Sequence, residues 1–481
     1  MRLKDLGYLY SGLTGKAGED FAIEDPAQGK PFVPFTNIFN NFRVDVDNVR
    51  LVAMTKGEVQ NRVETGDILF LMSSEDYESI GKPSVVSDKV GELYLNSFCR
   101  GLRITRSEVC PDYVAYYLSA ESVRQFLRLE ARGFTRINLK IDRLASQEVL
   151  LPKLSVQRQI VAYLDEKAAA IDARVAVLEK KLAAYRRLKA SVINQAVTRG
   201  VPGWGAGLGL GERDDRDHRD ERDESHEALA THCRAASGAK APKRRVPDVP
   251  VVSGVPCRGR PVNRLLRDSG VDWIGKIPEG WGVAHLKRLT KKIGSGKTPA
   301  GGAEVYGAEG VMFLRSQNVY NDGLMLNDVA FITPLIDLEM LSTRVFAGDV
   351  LLNITGGSIG RCCVYTRQEH ANVNQHVCII RADTKRAHNA FIKYFWNSLG
   401  QVYLRLSQLG GNRESLNFEQ IGNVLFPVPP LPEQRAIADY LDAECAKIDK
   451  MAELVTREIE LYRKLKRSLI NEVVTGKRKV A

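Results

Sequence analysis

The run Gly294-Ser295-Gly296-Lys297-Thr298 comes nearest to a phosphate-binding loop, and its spacing fails. Such a loop needs a glycine five positions before the glycine of its Gly-Lys pair, so that successive backbone N–H groups wrap the phosphates. That position is Lys291. Gly12-Leu13-Thr14-Gly15-Lys16, an earlier run of the same kind, fails in the same way. The chain holds no Asn-Pro-Pro-aromatic segment for amino methylation and no His-Glu-x-x-His for zinc hydrolysis. Its 7 histidines show no ligand spacing, and its 8 cysteines contain no Cys-x-x-Cys pair. No catalytic residue, metal or cofactor is therefore expected.

Another chemistry fits better. Polar residues gather at loop positions suited to base edges and phosphates. In residues 1–151 they are Lys16, Thr36, Asn37, Ser73, Ser74, Arg132, Arg136 and Asn138. In residues 264–428 they are Lys297, Thr298, Arg315, Ser316, Gln317, Asn318, Thr355, Gly356, Gly357, Ser358, Asn412 and Arg413. Arginine makes paired hydrogen bonds to guanine, and asparagine or glutamine to adenine, in the major groove. Glycine lets backbone N–H groups come close to phosphate. The formal charge of +11, from 69 Lys+Arg against 58 Asp+Glu, favours a polyanion, because phosphate neutralisation releases counterions. Taken singly, each of these residues is equally an ordinary turn or cap residue.

The elements that must hold these loops are mixed. Strands are expected at Phe32–Ile38, Gly66–Met72 and Gly101–Thr105, and again at Val311–Val319, Gly348–Ile354, Cys362–Thr366 and His376–Arg381. Helices follow at Asp112–Ala131 and Ala390–Gln408. Their aromatic clusters (Tyr113, Tyr116 and Tyr117; Phe391, Tyr394, Phe395 and Trp396) are expected to pack in cores rather than stack on bases. Two longer helices carry heptad seams. The first is Leu164, Ala168, Ile171, Val175, Leu178, Leu182 and Tyr185; the second is Leu441, Cys445, Ile448, Ala452, Val455, Ile459 and Tyr462. Each stripe needs a partner, and the other stripe is the obvious one. Some 40 helical residues at ~1.5 Å rise make a rod of roughly 60 Å. The sequence leaves parallel and antiparallel packing open.

The chain is also a repeat. Between Pro152–Thr198 and Pro429–Thr475, at a constant offset of 277, 20 of 47 positions are identical. A period this long is gene duplication rather than a solenoid. Fainter matches lie upstream: Gly15-Lys16 with Gly296-Lys297, and Gly66-Asp67-Ile68-Leu69 with Gly348-Asp349-Val350-Leu351. The organisation expected is a variable region (1–151), a long helix (152–199), a charged linker (200–263), a second variable region (264–428) and a second long helix (429–481). The linker, with Glu212-Arg213-Asp214-Asp215-Arg216 and a Pro-, Lys- and Arg-rich end, is expected to be mostly disordered. No run of 18 apolar residues marks a membrane span, and cysteine usage points to a reducing, cytoplasmic setting.

Two features carry a family resemblance. Leu431-Pro432-Glu433-Gln434-Arg435, with its partner Leu154-Ser155-Val156-Gln157-Arg158, is similar to the helix starts of type I restriction–modification specificity subunits. Trp273-Ile274-Gly275-Lys276-Ile277-Pro278-Glu279-Gly280-Trp281 resembles the opening of a target-recognition domain in that family. The resemblance implies a mixed α/β fold with a pseudo-two-fold duplication. Two target-recognition domains are separated by two long antiparallel helices forming a coiled coil. It implies a bipartite double-stranded DNA site as ligand. The implied partners are two modification (methyltransferase) subunits and the ATP-dependent restriction subunits, and the chain itself would hold no cofactor. Two departures stand out. The first region lacks the tryptophan-bounded opening, which leaves its completeness at the N-terminus open, and the linker is unusually long. The rival readings are a fused catalytic restriction or methyltransferase chain, and a coiled-coil scaffold that binds no DNA.

Overall fold

The computed structural model describes residues 1–25, 27–202, 204, 264–407 and 415–480. The charged linker expected to be disordered lies outside the described residues, apart from its first few positions. The chain divides into two compact units, Met1–Ala183 with Glu453–Ala481, and Ala184–Ala452.

In the first unit a four-stranded antiparallel sheet runs in the order Gly7–Ser11, Cys99–Ile104, Ile68–Leu71, Pro83–Val85. Every residue of Ile68–Leu71 is buried, because the alternating side chains serve two cores. Ile68 and Phe70 pack with the helices, and Leu69 and Leu71 pack with the loops on the other face. A second sheet pairs Gly29–Val33 antiparallel with Arg50–Ala53 and parallel with Tyr94–Leu95.

The second unit repeats the plan. Its main sheet runs Thr290–Ser295, Val377–Ala382, Val350–Asn353, Cys362–Val364. Val350 and Leu352 face the helices while Leu351 faces the other core. The second sheet holds Ala330–Ile332, Val311–Leu314, Ala371–Val373 and Arg344–Val345, again with one parallel pair.

Four local expectations change. The strands expected at Phe32–Ile38 and Val311–Val319 stop at Val33 and Leu314. A short helix, Phe35–Asn40, and a 3-10 turn, Ser316–Asn318, follow them. The cause is a buried asparagine. The Asn37 amide donates to the carbonyls of Asp45 and Asn48, both at 2.8 Å. The Asn318 amide donates to Met325 and Asp328 at 2.9 and 3.0 Å. Such side-chain bonds compete with a ladder and turn the chain. The helix expected at Asp112–Ala131 breaks into Pro111–Leu118 and Glu121–Glu130, where Ala120 is extended. Ala390–Gln408 likewise becomes Asn389–Trp396 and Leu399–Ser407. Their seven clustered aromatics are all buried, as core residues should be.

The long helices span Leu154–Arg199 and Leu431–Val474. Within the first unit the early part of one packs on the late part of the other. Leu164, Ile171 and Val175 share a core with Tyr462, Leu469, Ile470 and Val473. Within the second unit Ile193, Ala196 and Val197 share one with Ile437, Leu441 and Cys445. Packing is therefore antiparallel in each. The repeat's identities explain this: Lys466 binds Asp172 at 2.6 Å in the first unit, and Lys189 binds Asp449 at 2.7 Å in the second. The same lysine and the same aspartate of the repeat close both joints.

Of the seam residues, Leu164, Ala168, Ile171, Leu178, Leu441, Cys445, Ile448, Val455 and Ile459 are buried, while Val175, Leu182, Tyr185, Ala452 and Tyr462 are half-buried. Among the described residues no helix is long and apolar enough to cross a membrane.

Candidate nucleic-acid interface

In both units the polar loops collect at one end of the main sheet. In the first, the chain leaves strand Gly7–Ser11 into Gly12–Lys16 and leaves Ile68–Leu71 into Ser73-Ser74. It enters Cys99–Ile104 from Asn96–Phe98. Ser73-Ser74 pairs with Ile137-Asn138, which brings the Arg132–Asn138 loop to the same end. Asn96 N–H donates to Val33 O at 3.2 Å, which draws in the turn carrying Thr36 and Asn37. The second unit gathers Gly296–Thr298, Thr355–Ser358 and Asn374–His376 in the same way. Asn374 N–H on Leu314 O at 3.0 Å brings Arg315–Asn318 beside them.

The equivalence of the loops corrects one sequence match. Gly12 N–H donates to Cys99 O and Leu13 N–H to Leu95 O; Gly296 N–H donates to Val377 O and Lys297 N–H to Val373 O. Gly12, not Gly15, is thus the partner of Gly296. A Cβ would lie 2.0 Å from Asn96 O at Gly12 and 1.8 Å from Val373 O at Gly296, so both crossings demand glycine.

Each unit braces the end of its main sheet away from these loops with the same arginine–aspartate pair, whose aspartate is buried. Arg103 grips Asp67 through Nε at 2.9 Å and Nη2 at 2.7 Å, and Arg381 grips Asp349 at 2.7 Å through both nitrogens. The aspartates also accept N–H bonds from Glu64 and Phe346, both at 2.8 Å. Bidentate charged bonds of this kind fix geometry as well as adding energy. Burial and the Asp67 carboxylate push the Tyr10 phenol, 2.6 Å from that carboxylate, far above its ordinary range.

Gln157 accepts from Cys110 N–H at 2.8 Å and donates to Glu108 O and Pro152 O at 3.2 and 2.8 Å. Gln434 repeats this with His388 at 2.9 Å, Arg386 at 3.2 Å and Pro429 at 2.9 Å. The Tyr116 hydroxyl donates to Asp165 at 2.6 Å, and Tyr394 donates to Asp442. These side chains fasten each aromatic helix to the start of its long helix.

The sequence-chosen residues divide into braces and surface groups. Asn37, Asn318, Ser73 and Ser74 are buried, so they shape the loops and do not face a ligand. Lys16 is spent on Glu58 at 2.7 Å, a bond that, with Thr55 N–H, holds the Glu58 carboxyl down at about 2. Arg315 and Gln317 both reach Asp328, at 3.3 and 2.5 Å. Ser316 is half-buried and its carbonyl accepts from Asn353 at 2.7 Å.

Thr36, Arg132, Arg136, Asn138, Lys297 and Gly357 are exposed. Thr298 bonds to Gln375, Gln375 lies 3.2 Å from His376, and His376 lies 2.7 Å from Thr355, so one polar chain ties three loops together. Asn412 and Arg413 lie outside the described residues. A groove of about 320 Å³ lined by Lys287, Lys291, Lys292, Phe418 and Glu419 sits at the far end of strand Thr290–Ser295, away from these loops.

Two signals escaped the sequence reading. Gly356-Gly357-Ser358-Ile359-Gly360 has the Gly-x-Ser-x-Gly spacing of a hydrolase nucleophile. Ser358 closes a 3-10 turn instead of a strand-to-helix elbow, and His376 on the adjoining loop is bonded to Thr355. Among the described residues no base meets Ser358. The other signal is a set of exposed aromatics on the first unit's loops, Tyr77, Phe98 and Phe134. Free Cys99, Cys363 and Cys378 are buried, which pushes their thiols up to about 12, and no metal-binding cluster occurs among the described residues.

The family model for the type I restriction modification DNA specificity domain matches residues 2–179 and 278–460. The putative type I restriction enzyme MjaX specificity subunit of Methanocaldococcus jannaschii is 23% identical over 493 residues, which is 99% of this chain and 93% of that one. The type I restriction enzyme EcoKI specificity subunit of Escherichia coli is 22% identical over 208 residues, 42% of this chain and 44% of its own. A chain from a solved structure of a type I restriction–modification system, described for complex assembly and conformational transition, shares the fold. Its TM-score is 0.61 at 14% identity, covering 98% of this chain and 96% of that one. With the duplicated plan of sheets, helices and braces, these matches make the chain a member of the type I restriction–modification DNA specificity family.

Proposed function

We propose that this chain reads a split double-stranded DNA site, one half with each unit's loop cluster, and directs adenine methylation and cleavage carried out by partner subunits. The observation that carries the reading is the recurrence of one loop cluster at the same end of the main sheet in both units. A scaffold without a ligand has no need to keep such a surface twice. Phosphate contacts from Lys297, Arg132 and Arg136 would set register, and polar side chains on the loops would choose bases. Two tethered readers gain affinity through effective concentration, so neither half must bind tightly alone. The continuous helix Leu154–Arg199 would make the gap between half-sites a length.

Two modification subunits and the ATP-dependent restriction subunits are the proposed partners. This chain contributes specificity, and the catalytic groups belong to the partner subunits. The test is a genome-wide map of methylated adenine with the gene present and deleted. A split motif methylated only when the gene is present is the expected result. Identical maps would defeat the reading, and methyl transfer by the isolated chain would favour the fused-enzyme alternative.

A further inference from the structure

Phe134 is fully exposed, with a relative accessibility of 102%. It stands at the tip of a loop that is otherwise tightly held. Arg132 N–H donates to Asn138 O at 3.0 Å and Asn138 N–H to Arg132 O at 2.8 Å, closing the neck. Gly133, at φ +145°, lets the neck pinch: a Cβ there would lie 2.0 Å from Arg136 O. The Tyr77 hydroxyl donates to Gly133 O at 3.2 Å. Ala131, Ile137 and Leu139 bury the stems. The phenyl ring is thus presented to solvent by a built loop.

Its surroundings are aromatic and cationic. The Arg136 guanidinium lies 4.6 Å from the centre of the half-exposed Phe98 ring, and Arg132 is exposed beside the tip. Of the carboxylates on the adjoining loop, all exposed, Asp76 accepts from Ser79 at 2.7 and 3.0 Å and Glu78 pairs with Arg128 at 3.2 Å. An exposed ring on a loop that also carries two arginines complements bases stacked between phosphates. Apolar wedges of this kind open a base step and kink the duplex.

We infer that Phe134 is a stacking wedge that enters a base step in the half-site read by the first unit. This rests on the DNA-reading function proposed above and adds a residue and a mode of contact to it. At the offset of 278 that pairs Tyr116 with Tyr394 and Gly133 with Gly411, Phe134 answers Asn412, so the wedge belongs to one half-site only.

The test uses the full chain assembled with its modification subunits and a duplex carrying the site found by methylation mapping. 2-Aminopurine replaces adenine in turn across the first half-site. Wild-type complex should raise fluorescence at one step. Phe134→Ala should abolish the rise and weaken binding roughly tenfold, the worth of one stacked base. Phe134→Trp should keep both. Because the side chain is wholly in solvent, neither variant should disturb folding. No rise with wild type, or an unchanged rise and affinity in Phe134→Ala, would overturn the wedge. Loss of subunit assembly with DNA affinity intact would overturn it in favour of a protein contact. Failure of the wild-type complex to prefer the mapped duplex would sink the reading beneath it instead.

Discussion

The two units share a plan and differ in how they are fastened. Among the described residues the first buries one carboxylate, Asp67, and the second buries three, Asp337, Asp349 and Glu433. Asp67 and Asp349 are the common brace. The others secure parts that the first unit lacks. Glu433, only 1% exposed, receives Trp281 Nε1 at 3.0 Å and Arg264 Nη2 at 3.2 Å. It thereby locks the hairpin Leu266–Asp268 with Lys276–Pro278 onto the start of its long helix. Its repeat partner is Val156, exposed and with nothing to hold. Asp337 ties Arg344, His370 and Asn372 across the second sheet. The shared groups fix the main sheet at the end away from the loops, and the unshared ones hold what surrounds it.

Removing an unshared lock should have the largest effect. Glu433→Ala leaves Arg264 and the Trp281 N–H without their acceptor, at a cost of about 3 kcal/mol in chemical denaturation. Hydrogen exchange should quicken first in Leu266–Pro278. Val156→Ala should stay within about 0.5 kcal/mol. Equal costs for the two substitutions would erase the distinction drawn between the units.

A smaller effect tests the equivalence of the sheets. Tyr10 faces Gly101 in the first unit, and Gly294 faces Ile379 at the same register in the second. Large and small have exchanged sides. A Cβ on Gly101 would sit 2.1 Å from the Tyr10 ring. Gly101→Ile should therefore cost about 2 kcal/mol through overpacking. Adding Tyr10→Gly, which recreates the second unit's pair, should recover part of the loss in a double-mutant cycle. Simple additivity would contradict the structural match.

The smallest effect concerns acid. Burial alone would raise the Asp337 carboxyl, but bonds from Arg344 and His370 outweigh it and hold it below its ordinary 3.8. A depressed carboxylate contributes its full stability above the unfolded value and loses it as pH falls through the folded one. Melting temperature should drop as pH falls below 3.8, and Asp337→Asn should flatten part of that slope. An unchanged slope would remove Asp337 from the account.

Much of this was legible beforehand, because the duplication displays its own constraints. Gln157 and Gln434, Asp165 and Asp442, Asp172 and Asp449, and Lys189 and Lys466 appear as identities at one offset. The structure gives each pair the same bond. Arg103 and Arg381 did not stand out, since a lone arginine on a strand announces no partner until the sheet sets it against Asp67 or Asp349. Sequence alone pairs Gly15 with Gly296, because a short Gly-Lys pair outweighs weak strand similarity in a gapped comparison. Backbone hydrogen bonds decide for Gly12. Asn37, Asn318, Ser73 and Ser74 read as polar loop residues in the sequence, and burial gives them to the loop interior. Phe134 does not stand out in the sequence, because hydrophobicity reads as core unless exposure is known.

The claim beneath all of this is that each unit reads its own half of one site. Exchanging residues 264–428 for the matching segment of another family member, then mapping methylated adenine in cells, tests it most directly. The account predicts a motif in which one half changes while the other half keeps its sequence. A change in both halves, or in neither, would contradict it.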